Sequence, residues 1–419
     1  MRRLLLDVTP LRTSPAFRRL WVGRSLSTIG GQMTLVAVMY QVWQATHSPL
    51  WSGAVGIVQA GPMVAVGLWG GSLVDRADRR RIVLVTTVGQ LACSAALAAQ
   101  ALWHPALAPV LVLLAVQSAL LAVGNPASRT FTPRLLDADQ VAAGMALTRL
   151  AGQAAMLAGP AVGGLLLGFG GIGLCYSIDA LSFAAGLYGV VGLPPMPPVG
   201  EAARRGVHGV LDGLRFVARE PVVRGAMLTD VAATVLAMPV SLFPLVNEER
   251  FGGEPRTLGL FLTAIALGGV LASAFAGTFT RLPGTGVVMV AAAACWGLAL
   301  AAFGLVTAPW AGLALLVLAG AADSVSVVSR GTLVQLATPD HLRGRVSSVE
   351  MIVGISGPDV GNLRAGAVAQ ATSASIALLT GGLACVAAVA ATAVTCPGLV
   401  RSRLRCAGSP SAGQDPSPS

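Results

Sequence analysis

Twelve apolar stretches, each near or beyond the ~20 residues a helix needs to cross a ~30 Å hydrocarbon layer, follow one another along the chain. They run at roughly 20–44, 51–74, 82–103, 107–128, 142–169 and 172–193. After a gap they resume at roughly 225–247, 257–280, 285–306, 309–330, 347–370 and 375–396. A water-soluble fold would need charge to cover so much apolar surface. Only 11% of the residues are charged and 54% are hydrophobic, against roughly 25% charged in soluble domains. A soluble globule is therefore excluded, and so is disorder, which needs low hydrophobicity and high charge. Strict two-residue alternation is missing, which argues against an outer-membrane barrel. The expected fold class is an all-α integral membrane protein with 12 transmembrane helices in two six-helix halves.

The gap between the two sets fixes the expected partition. It opens with Pro194-Pro195-Met196-Pro197-Pro198, which no helix can cross. Residues 1–19 read as a cytoplasmic arm, 20–193 as one half and 194–224 as a cytoplasmic linker. Residues 225–397 read as the second half. The tail, 398–419, is rich in Ser, Pro and Gly and reads as disordered. The N-terminus shows no cleavable leader pattern and reads as a mature arm.

Arginine sets the orientation. All 28 basic residues are Arg. With both termini inside, cytoplasmic segments hold 23 of them, external loops only Arg250 and Arg256, and spans Arg24, Arg149 and Arg364. That asymmetry is the positive-inside pattern. Trp21, Tyr40, Trp43, Trp51, Trp103 and Trp310 fall near span ends, as interfacial aromatics do. The two sets also echo each other: Gly71–Asp75 parallels Gly277–Arg281, and Ser128-Arg129 parallels Ser329-Arg330, as parallel repeats would.

Other classes fall away. The +10 charge lies in short gaps between spans and not on a soluble basic face, which argues against nucleic acid. Without any Lys a phosphate-binding loop is impossible, so an ATP-driven pump in this chain is excluded. Six isolated Cys and the four His (His47, His104, His208, His341) show no ligand spacing, so no metal and no cofactor is expected. No nucleophile–base set points to an enzyme.

Four motifs remain. Gly71-Ser72-Leu73-Val74-Asp75-Arg76-Ala77-Asp78-Arg79-Arg80-Arg81 follows the second span. Gly71 admits a close helix neighbour, the Asp75 carboxylate suits a helix N-terminus, and Arg79, Arg80 and Arg81 suit anionic lipid. In the fifth span, Gly159-Pro160-Ala161-Val162-Gly163-Gly164 combines a kink with small residues, for which Gly268, Ala272 and Ala276 are the expected partners. Between spans ten and eleven lies Thr338-Pro339-Asp340-His341-Leu342-Arg343-Gly344-Arg345-Val346, and span eleven carries Gly357-Pro358-Asp359-Val360-Gly361.

The first motif resembles the loop two–three signature of the major facilitator superfamily, with Asp78 as its departure. The second resembles the core of that superfamily's exporter signature. The third and fourth, with Ser14–Arg18 and Asp179–Phe183, resemble the branch that includes the enterobactin exporter and many actinobacterial efflux proteins. The resemblance implies a gate in which Asp75 faces the start of span eleven. It also implies export.

Charges inside spans cost ~2.5–3.5 kcal/mol each on insertion scales, so each is a functional candidate. They are Arg24, Arg149, Asp179, Asp230, Asp323, Glu350, Asp359 and Arg364. Asp359 follows Gly357-Pro358, which should open the helix onto a cavity, with Arg364 as a loose partner. Asp323 and Arg330 share one helical face. Asp359 and Asp179 lead as proton carriers. Pocket positions on spans one, four, seven and ten read as apolar or small, suiting an amphipathic ligand.

The expectation is a secondary transporter in a bacterial plasma membrane, monomeric, with protons and membrane lipids as its other partners. It would export a small amphipathic molecule, a siderophore or drug-like compound, by alternating access. A proton-coupled nutrient importer and a transport-silent membrane scaffold are the alternatives.

Overall fold

The computed structural model describes residues 7–69, 77–103, 106–197, 207–279 and 284–401. Every regular element among them is helical. Gly71, Asp75 and Arg76 of the loop two–three motif, His104, and the tail beyond Arg401 lie outside the described residues.

The long helices are α1 (Pro15–Thr46), α2 (Pro49–Trp69), α3 (Arg79–Trp103) and α4 (Leu107–Arg129). Next come α5 (141–170) and α6 (172–191), joined into one continuous element, Val141–Val191. The later ones are α7 (Pro221–Val231), α8 (Pro255–Ala274), α9 (Thr285–Phe303), α10 (Pro309–Ala337), α11 (Arg343–Ala371) and α12 (Ala374–Thr395). Proline opens α1, α7, α8 and α10 in the first turn, where its missing N–H costs nothing. Ser14 and Ser373 cap α1 and α12 by accepting from the amides of Phe17 and Ile376. Among the described residues nine helices are long and apolar enough to cross a membrane, with Val141–Val191 counted once. The polar residues along α1 and α11 keep those two out of that set.

The 51-residue element is in fact a hairpin. Gly171 sits at φ 69°, a backbone state open to glycine. Before it, Gly144, Gly159 and Gly163 meet Phe17, Gln32 and Met33 in ascending order. After it, Tyr176, Gly186 and Gly189 meet Gln41, Ser27 and Leu20 in descending order. The chain therefore reverses at Gly171, and α1 lies between α5, which runs parallel to it, and α6, which runs antiparallel.

Helix α7 does not run straight. A π turn, Ala232–Leu236, continues it, followed by a short 3-10 turn (Val240–Leu242) and a helix from Phe243 to Arg250. A π turn frees backbone carbonyls, and side chains take them up: Arg364 donates to the Leu236 carbonyl at 2.5 Å and Trp296 to that of Ala233 at 3.4 Å. Arg364 therefore does not pair with Asp359. Nor does Pro358 open α11, which stays helical from Arg343 to Ala371. Arg364→Met is expected to cost about 1–3 kcal/mol, the penalty for orphaning a buried polar group, read as a lower thermal midpoint in detergent.

Helices before residue 197 meet those after 207 along two seams. On one, α2 crosses α11: Gly53 abuts the backbone of Asn362, Gly56 abuts Asp359, and Gly366 abuts Pro49. On the other, α5 crosses α8: a Cβ on Gly259 would sit 2.5 Å from the Pro160 carbonyl oxygen, and one on Gly164 3.0 Å from the Gly259 Cα. Both seams are tight toward the end of the bundle that carries Thr46, Pro49, Gly171 and Pro255. Trp43 donates to Glu248 there, His47 lies within 4.0 Å of Glu248, and Ser48 bonds Gln370 at 2.8 Å. Behind them Phe243, Phe251, Phe261 and Phe303 pack with centroids 5.4–6.5 Å apart. Trp43 is thus part of this closure (4% exposed), whereas Trp51, Trp103 and Trp310 stay exposed.

Candidate functional site

A cavity of about 580 Å³ opens among the first six helices, a size that suits a small organic ligand. It runs from mid-bundle, at Thr34, Leu114 and Asp179, toward the end that carries Leu20, Asn125, Ser128 and Val190. Its wall is more polar than the apolar or small lining expected on spans one, four, seven and ten, and it draws on spans two, three and six as well. Gln32, Gln59, Gln90, Gln117, Thr28, Thr86, Thr87, Ser118 and Asn125 all line it. The reason lies in helical register: Thr86, Gln90 and Ser94 stand four residues apart, on one face of α3. That spacing of hydroxyls and amides within a span was the available signal.

Asp179 forms the floor, 1% exposed. Its Oδ2 accepts from the Ser94 hydroxyl at 2.7 Å, and Ser94 in turn accepts from the Gln117 amide at 3.0 Å. Gly30 on α1 makes room for it, since a Cβ there would lie 2.6 Å from the Asp179 Oδ1. Nearby, Tyr176 donates to the Gln41 Oε1 at 2.7 Å and Gln100 reaches the same oxygen at 3.3 Å. Arg24 lies on the cavity wall, and Arg149 is exposed on α5.

The acidic candidates on the later helices gather elsewhere. Asp230 on α7 is ion-paired with Arg330 on α10, with side chains 10% and 14% exposed. Asp323 and Glu350 both lie within the electrostatic reach of that pair. Arg330 therefore pairs directly with Asp230 across a helix interface, the contact that the packing makes, and reaches Asp323 on its own helix only through its field. Asp359 has no polar partner among the described residues and sits against Gly56, between α2 and α11. These four carboxylates and Asp179 are thus not one site.

The glycine-proline motif of α5 is two-sided. Gly159 and Gly163 face Gln32 and Met33 on α1, while Pro160 and Gly164 face Pro255 and Gly259 on α8. Gly268 is not the partner expected; it abuts Val317 and Ala321 on α10. The antiparallel crossing brings the start of α8, not its middle, to the motif.

In the loop two–three motif, Asp78 explains its own departure. Its Oδ1 accepts from the amides of Arg80 (2.8 Å) and Arg81 (3.2 Å), capping α3, and its Oδ2 accepts from Met196 N at 3.1 Å. Arg80 donates to the Val191 carbonyl at 2.6 Å, so it closes the end of α6 and is not aimed at lipid. Asp78→Ala should cost about 1 kcal/mol of cap, visible in a thermal scan, whereas Asp78→Asn should retain most of it.

In the loop ten–eleven motif, Pro339 precedes a short 3-10 turn, Asp340–Leu342. Asp340 pairs with Arg343 at 2.8 Å, both exposed, which adds little stability. Arg345 pairs with Asp212 at 3.2 Å on a linker helix, Val207–Arg219, whose Gly213 abuts the Arg345 backbone. Nothing within 4 Å surrounds Gly344.

The family model of the transmembrane secretion effectors matches residues 7–402. The chain belongs to that family, within the major facilitator superfamily. It is similar to the enterobactin exporter EntS of Shigella boydii, 27% identical over 363 residues that span 85% of this chain and 86% of that exporter. The Escherichia coli exporter of the same name matches equally, at 27% identity. Among solved structures, a POT family transporter in complex with 5-aminolevulinic acid superposes with a TM-score of 0.74 at 12% identity, covering 92% and 97% of the two chains. The nucleoside transporter NupG superposes at 0.72 with 13% identity, covering 92% and 98%. These likenesses carry the fold. This family member is accordingly a multi-pass membrane transporter of the major facilitator type, not an enzyme.

Proposed function

We propose that the chain crosses a bacterial plasma membrane twelve times, with both termini cytoplasmic, and exports a small amphipathic molecule in exchange for protons. One observation carries this reading. A polar cavity opens toward the end that holds the start of α1 and the end of α12, while Trp43, Ser48, Glu248 and Gln370 close the opposite end. With the arginine-rich side inside, this arrangement is open to the cytoplasm, the state in which an exporter would load its cargo. Rocking of the two helix groups across the α2–α11 and α5–α8 seams would then expose the cavity to the outside. Export as the direction, and a siderophore-like or drug-like cargo, draw support from the relatives named as exporters.

Asp179 is the proposed proton carrier. It sits in the cavity itself, and its hydrogen bonds come from the hydroxyls of Ser94 and Ser182, which can reorient as the proton arrives. Asp359, held at the seam by Gly56, is the second candidate. Asp75 is proposed as the gate residue toward α11.

Secretion profiling of a deletion strain would identify the cargo, and inverted vesicles would then read the coupling. Uptake into vesicles acidified inside should occur with the native chain. Asp179→Asn should abolish the dependence on the gradient with membrane levels unchanged, and Asp75→Asn should cut uptake severely. Gradient-driven uptake that persists in Asp179→Asn would move the role to Asp359. Uptake favoured by the opposite gradient would make the protein an importer.

A further inference from the structure

The cavity wall carries a cation that the export reading does not require. Arg24 lies nine residues, about 14 Å at 1.5 Å per residue, along α1 from Pro15, and it lines the cavity. That depth is more than loop topology calls for. No carboxylate pairs with it among the described residues. Asp179, in the same cavity, is already engaged by Ser94 and Ser182. The charge that does reach Arg24 is a second cation, Arg129 at the end of α4. Among the described residues within the spans, the carboxylate that forms an ion pair, Asp230, is held by Arg330 on the later helices. A half-buried guanidinium on a cavity wall within a span, without a counter-ion among the described residues and near a like charge, is unfavourable unless something anionic visits it.

We propose that the cavity binds its cargo through an oxyanion, a carboxylate or a group of like charge, seated on Arg24. This rests on the proposed function in taking the cavity as the cargo site. The guanidinium offers a planar fork of donors suited to such a group. Gln32, Thr28 and Asn125 stand along the same wall to bond the polar remainder of the molecule, and Leu20 and Leu121 offer apolar contact.

The test uses the purified full chain in detergent and two near-isosteric probes, 1-naphthoate and neutral 1-naphthamide. Affinities follow from the ligand dependence of thermal unfolding. Naphthoate should bind roughly ten- to hundredfold tighter, the range for a charge-assisted bond. Arg24→Gln should bring the two affinities together, and Arg24→Lys should keep the acid preferred by a smaller factor. Equal binding of both probes by the native chain, no naphthoate binding at millimolar concentration, or an unchanged ratio in Arg24→Gln would each overturn the proposal. Should Arg24→Gln fail to fold, naphthoate should protect a Ser128→Cys variant from maleimide, and unprotected labelling would overturn it equally. Charge preference and direction fail separately. Reversed vesicle uptake with the acid preference intact removes export alone, and export with no acid preference removes this inference alone.

Discussion

Arg330→Gln should destabilise the protein more than any other single polar substitution considered, by about 3–5 kcal/mol, the cost of stranding one member of a buried pair. Asp230 would lose its partner at a site where its side chain is only 10% exposed. Asp323 and Glu350, which share the field of that arginine, would face an acidic cluster without a cation. Unfolding monitored in detergent checks the size. Asp230→Asn combined with Arg330→Gln should cost clearly less than the two single changes added together, because the cycle isolates the pair. Additive losses would mean that the ion pair is incidental to packing.

Gly259→Val is the second. A Cβ at Gly259 would lie 2.5 Å from the Pro160 carbonyl oxygen and 2.9 Å from the Gly164 Cα, and both obstacles are backbone. Helices α5 and α8 would have to part at the closed end. Overpacking of this kind costs about 1–3 kcal/mol. If the cost falls on the closed arrangement alone, the balance between the two openings shifts roughly five- to hundredfold. Transport should then fall by a similar factor while the protein still inserts. A cysteine placed near His47 should become more reactive to an impermeant maleimide. Gly152→Val is the control, since nothing lies within 4 Å of that position. Equal loss in both variants would count against the seam as a moving part.

Long apolar runs made the helices legible, because a lipid environment leaves the backbone few other options. Even so, α1 and α11 are less apolar than their neighbours, and their polar residues turn out to line the cavity (Thr28, Gln32) or the α2–α11 seam (Asp359, Asn362). The carboxylates were legible as rare buried charges, but their partners were not. Arg330 and Asp230 are 100 residues apart in sequence, and a single helix wheel cannot reveal such a contact. Arg364 was misread for a local reason: the π turn at Ala232–Leu236 leaves a carbonyl in need of a donor, and no composition signal announces a π turn. The amide-lined wall was within reach of the sequence, at Thr86, Gln90 and Ser94, yet polar residues without charge attract less notice than Asp or Arg.

The connectors on the closed side are very short. Only His47 and Ser48 join α1 to α2, Gly171 alone reverses α5 into α6, and Thr372 with Ser373 links α11 to α12. If that side faces the medium, the cell displays almost no polypeptide there for an antibody or a phage to grip. Gly252 and Gly253, both at positive φ, form the natural place to graft a visible tag, and raising surface antisera against the native chain should prove difficult.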